Sequence, residues 1–139
     1  MDTQTAQPLP FRILGATLLT AAALALGACG GGGPARYDLS GDVTYQGRPV
    51  PGGRLFFEPD PEQANQGPGS VAEIHDGFYR TRPGRGHVGG PHVVTIFGTD
   101  GTVATEDHDN SLFRPYRTTV ELPMQDAAMN FDVPDVGTP

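Results

Sequence analysis

The chain has 139 residues, a formal net charge of −7 and a single cysteine, which is room for one domain and little else. The acidic balance argues against a nucleic-acid partner, because phosphate binding needs clustered positive charge. One cysteine excludes both an internal disulfide and a cysteine-held zinc.

The first segment with a pattern is Ile13 to Ala28, ILGATLLTAAALALGA, which carries no charge and follows Arg12. A positive residue, a short apolar run and a small-residue end describe an export signal, and the run is shorter than the roughly 20 residues of a membrane-spanning helix. It closes on Leu26-Gly27-Ala28-Cys29, which closely resembles the bacterial lipobox. That resemblance implies cleavage between Ala28 and Cys29, a diacylglyceryl group on Cys29 as the membrane partner, and residence in the cell envelope. Residue Gly30 replaces the Asp that commonly marks inner-membrane retention, so the outer membrane is expected, with its periplasmic and surface faces both open. Residues 29–36 then form a Gly-rich tether, and residues 1–28 are the lipoprotein signal peptide.

Beyond the tether no segment keeps a helical period, and Gly and Pro punctuate short alternating runs, so the expectation is all-β. The first strand spans Tyr37 to Tyr45, turned by Gln46-Gly47-Arg48-Pro49, and the second spans Gly53 to Pro59 with Leu55 and Phe57 on one face. Residues 60–69 read as a loop. Ser70–His75 and Phe78–Arg82 form a hairpin closed by Asp76-Gly77, a dipeptide suited to a type I′ turn, which sets Ile74 opposite Tyr79 and His75 opposite Phe78. His92–Gly98 is apolar on both faces and is expected to run centrally. Residues 99–115 make a long acidic loop, and Arg117–Leu122 and Ala128–Val133 supply the last strands. Seven strands at this spacing predict a β-sandwich.

Three segments in order are similar to bacterial carboxypeptidase regulatory-like (transthyretin-like) domains. They are Val43–Asp60 with its Gly-Arg-Pro-Val-Pro-Gly core, the Asp76-Gly77-Phe78-Tyr79 hairpin, and Gly90–Ile96. Tyr116–Val133, with Asn130-Phe131-Asp132, resembles the closing strands of small lipoproteins that carry such a domain. The resemblance implies one prealbumin/immunoglobulin-like β-sandwich over residues 37–134, followed by a flexible tail over 135–139. It departs from the family at His92, where an aromatic is usual, and at Gln125-Asp126-Ala127-Ala128, where glycines are common.

Transthyretin-like hydrolases end in Tyr-Arg-Gly-Ser; Tyr116-Arg117-Thr118-Thr119 echoes half of that signature far from the terminus, which makes a hydrolase the remotest alternative. Asp100, Glu106, Asp107 and Asp109 are candidate oxygen ligands for calcium, although a charge run in a loop is usually a solvated face. His75, His87, His92 and His108 are scattered and have ordinary structural explanations. Phe56, Phe78 and Phe97 alternate away from the core and are candidates to stack on a sugar or a partner. Arg80, Arg82 and Arg85 come closest to a basic cluster and read as a solvated face. The sequence therefore predicts a non-catalytic, cofactor-free, lipid-anchored envelope protein presenting a β-sandwich to an envelope protein or glycan. A carbohydrate- or calcium-binding module is the alternative.

Overall fold

The described residues, 32–139 of the computed structural model, form nine strands. These are β1 (Leu39–Tyr45), β2 (Arg48–Pro49), β3 (Gly52–Pro59), β4 (Ser70–His75), β5 (Phe78–Thr81), β6 (Gly90–Thr99), β7 (Tyr116–Leu122), β8 (Ala127–Ala128) and β9 (Phe131–Val133). The export signal expected from the sequence, with its expected cleavage and lipidation at Ala28 and Cys29, lies outside the described residues. Pro34–Pro139 form one compact unit.

Alternation decides which face each strand buries. Ser70, Ala72 and Ile74 of β4 point inward while Val71, Glu73 and His75 point out, and β3 buries Leu55 and Phe57 between exposed Arg54 and Glu58. Hydrogen bonding joins the strands in the order β2-β1-β5-β4-β3-β6-β7, with β8 and β9 both laid along β1. The two pairings with β8 and β9 are parallel and the others antiparallel. Thus the fold is all-β, built on a curled, mainly antiparallel sheet. The curl sits in β1, which pairs β5 and β8 through Leu39–Asp42 and β2 and β9 through Val43–Tyr45.

The Asp76-Gly77 hairpin has the expected form. Both residues have positive φ (50° and 82°), as a type I′ turn requires, and Ile74 faces Tyr79 while His75 faces Phe78. Elsewhere the ends move. The first strand starts at Leu39 rather than Tyr37, which instead makes an isolated bridge to His87. Residues Arg48 and Pro49 form β2 rather than part of a turn. Pro61–Gln63 make a 3-10 turn inside the 60–69 loop, capped by Asp60, whose carboxylate accepts the Glu62 N–H at 3.0 Å.

The largest difference lies at the C-terminal end, where the single strand expected over Ala128–Val133 is two short ones. The break at Met129-Asn130 has a physical cause: Asn130 Oδ1 accepts the Asp42 N–H at 2.9 Å, replacing a ladder bond. The Met129 carbonyl accepts the Tyr79 hydroxyl at 2.8 Å. This carbonyl lies so close to Gly41 that a Cβ there would overlap it.

Beyond the break, Phe131 enters the core with Phe57 and Tyr79, ring centroids 5.8 to 6.3 Å apart. The acidic loop also reaches the core, through Phe113, which is 2% exposed and packs on Tyr45 at 4.8 Å.

Two substitutions test this junction. Gly41→Ala is expected to destabilise the fold by about 1–3 kcal/mol, as overpacking does, and Tyr79→Phe by about 1–2 kcal/mol through the unpaired Met129 carbonyl. Urea unfolding of each variant against the parent chain reads both values.

Candidate functional site

Strand alternation gives the sheet an outward face, and register fixes its rows. Across β5, β4, β3 and β6 one row reads Arg80, Glu73, Arg54, Phe97, and the next places Val71, Phe56 and Thr95 side by side. Phe56 and Phe97 meet edge to face, ring centroids 5.6 Å apart and planes at 81°, the favoured geometry for an aromatic pair. Phe78 is separate. It lies three strands from Phe97 in the sheet order, so the three phenylalanines do not form one row.

Phe78 instead flanks a trough of about 740 Å³ whose basic lining is Arg36, Arg80, Arg82 and Arg85. Alternation on β5 sends Arg80 outward while Tyr79 points in, and Arg82 and Arg85 follow in the turn beyond. Arg36 comes from the start of the domain, two residues after Pro34. Its Nη2 donates to the carbonyls of Gly69 (2.9 Å), Arg85 (2.9 Å) and Gly86 (2.7 Å), and its Nε donates to Gly86 O at 3.0 Å. These bonds fix the guanidinium in place without neutralising it. Asp38 holds the 82–86 turn by accepting the Gly84 N–H at 2.9 Å. Among the described residues no arginine nitrogen comes within 4.0 Å of a carboxylate; the close charged pairs are His75–Glu73 and His108–Asp100. Arg80, Arg82 and Arg85 stand together in the sequence, where they read only as a solvated face, and Arg36, 49 positions before Arg85, has nothing local to connect it with them.

The acidic loop spends its carboxylates on itself. Asp100 Oδ1 accepts the Thr102 N–H (2.8 Å) and hydroxyl (2.6 Å), and Oδ2 faces His108 Nε2 at 3.2 Å. Asp109 accepts the Ser111 N–H at 3.0 Å. Hydrogen bonds from Thr102 hold Asp100 below the usual carboxylate range, and those from Ser111 do the same for Asp109. Glu106 and Asp107 are exposed. Among the described residues no three histidine, cysteine or carboxylate side chains converge, so Asp100, Glu106, Asp107 and Asp109 are not assembled as a ligand set.

Two histidines do come together, and no sequence signal announces it. His87 and His92 are 1% and 0% exposed, with rings at right angles and centroids 6.0 Å apart. The Gly89 N–H donates to His87 Nδ1 at 3.1 Å, which puts the proton of neutral His87 on Nε2. His92 Nδ1 lies 2.9 Å from the Gly90 carbonyl, which puts its proton on Nδ1. The Nε2 atoms, one a donor and one a lone pair, find no hydrogen-bond partner among the described residues. Burial first, then the neighbouring His92, hold His87 below its ordinary value.

No family model matches this sequence, and no curated protein or solved structure matches it either.

His87 predicts a pH dependence of stability. His87 binds a proton less readily in the folded state than in the unfolded chain, so its contribution is complete above the ordinary imidazole value of about 6.5 and is lost as pH falls below it. Urea unfolding at about pH 8 and about pH 5 should show lower stability at the acid end. The difference should shrink in His87→Gln.

Proposed function

We propose that the chain is an exported lipoprotein whose β-domain is presented, without catalysis, at the surface of a cell-envelope membrane. The observation that carries this reading is the order of parts: an uncharged run, Leu26-Gly27-Ala28-Cys29, four glycines, and then a compact unit starting at Pro34. The sole cysteine stands at the junction, where the signal is removed and acylation takes place. Among the described residues no helix is long and apolar enough to cross a membrane, so in this reading attachment falls to the acyl chains.

In the same reading the domain is a transthyretin-like sandwich of the carboxypeptidase regulatory-like kind. Two observations support it. The Gly-Arg-Pro-Val-Pro-Gly segment connects β1 to β3, which ends in Pro59, the order of parts that the resemblance implies. The exchange of partners along β1 is also how a strand turns from one layer of a sandwich to the other. Presentation then uses the outward sheet face, with the Phe56–Phe97 pair and the arginine trough as its recognisable features.

The test is fractionation with and without the thiol. Native chain is expected in the membrane fraction with an acyl-modified Cys29, and Cys29→Ala is expected to lose the modification and the mature N-terminus. Equal distribution and equal mass (apart from the substitution itself) would refute the anchor. Protease treatment of intact cells then assigns the domain to the outer surface if it is shaved, or to the periplasm if it is protected.

A further inference from the structure

We propose that the trough of Arg36, Arg80, Arg82 and Arg85 is a second membrane contact, which seats the domain on the anionic headgroups of the leaflet that holds Cys29. The proposal rests on the lipoprotein reading above and adds to it an orientation and a lipid class.

Three observations carry it. First, charge: four arginines line one concave surface in a chain of net charge −7, and among the described residues none of their nitrogens lies within 4.0 Å of a carboxylate oxygen, although Glu73 stands opposite Arg80 in the sheet. Glu73 is the one carboxylate of the lining, and it faces His75 Nε2 at 3.5 Å. Guanidinium groups match phosphate oxygens in geometry and are weakly hydrated for cations, which suits them to headgroups.

Second, apolar surface: the same trough exposes Val71 (46%) and Phe78 (44%). Arginines beside an exposed aromatic and an aliphatic side chain form the mixture that favours the boundary between headgroups and acyl chains.

Third, reach: seven peptide units separate Cys29 from Arg36, so the chain between them spans at most about 25 Å. Arg36 is itself part of the trough, and the domain therefore begins at the basic surface. An anchor this close makes the contact with headgroups effectively intramolecular. A contact too weak to recruit a free protein is then enough to set the orientation of a tethered one. An acidic glycan would satisfy the charge equally well, but nothing about the tether would favour it. The reach decides for the membrane.

The experiment uses full-length protein purified from cells, with the acyl state of Cys29 read by intact mass. It is incorporated into vesicles of phosphatidylcholine alone or of phosphatidylcholine with phosphatidylglycerol. Phenylglyoxal modification of Arg80, Arg82 and Arg85 is followed by peptide mass, with Arg48 and Arg114 as references.

Several-fold slower modification of the three trough arginines on phosphatidylglycerol vesicles is expected, with the references unchanged. The protection should vanish at about 1 M salt, where the Debye length is about 3 Å. Equal modification on both vesicles would overturn the proposal. So would protection by dissolved polygalacturonate exceeding that by phosphatidylglycerol, which would reassign the trough to an acidic glycan. If intact mass shows no acyl group on Cys29, the anchor reading fails, and the tethered contact proposed here is overturned with it. With Cys29 acylated, the vesicle comparison alone decides the trough: protection on anionic vesicles upholds the contact and its absence overturns it while leaving the anchor standing.

Discussion

The architecture depends on how closely the chain's last segment can approach β1. The Met129 carbonyl sits against the backbone at Gly41, where any side chain would collide with it, and the buried Tyr79 hydroxyl supplies its hydrogen bond. A buried carbonyl left unpaired would be costly; burial also pushes the Tyr79 phenol up from its ordinary value, so it remains a donor. With that junction made, Phe131 and Val133 drop into the core. The sheet closes over Phe57, and β1 serves two sets of partners.

The same hairpin links that core to the outward surface. Tyr79 points in and anchors the C-terminal segment; its neighbours Phe78 and Arg80 point out into the trough. A two-residue period permits no other arrangement once Tyr79 is fixed. The trough is therefore carried on the strand that anchors the C-terminal segment, and Arg36 is held to it by backbone carbonyls.

What was legible in the sequence was what local physics determines. Alternation gave the inward residues of β3, β4 and β5, and the Asp76-Gly77 turn fixed a register to the residue. What was not legible depends on contacts between distant segments. The break at Met129-Asn130 exists because Asn130 bonds to Asp42, and the parallel lie of β8 and β9 has no periodic signature of its own. Phe113 looks like loop sequence and packs as core. Arg36 reads as part of a tether and lines the trough, and His87 and His92 meet across Gly89-Gly90, both at positive φ. In the acidic loop Asp100 accepts from Thr102 and Asp109 from Ser111, local bonds of the kind short Asp side chains make with their own turns, and among the described residues no three ligand side chains converge.

Charge distribution links these features. Asp2 and Arg12 cancel, so the chain after residue 28 bears the whole net charge of −7. A body of that charge is repelled by an anionic membrane at long range, whereas the arginine trough is attracted to it. At physiological salt the screening length is about 8 Å, so the repulsion of distant acidic loops is damped while a surface in contact with headgroups feels its own charge. A free protein would rarely make that contact. In the lipoprotein reading proposed above, a tether of seven peptide units would keep the trough within reach, and the arginines would then favour the orientation that turns them toward the bilayer.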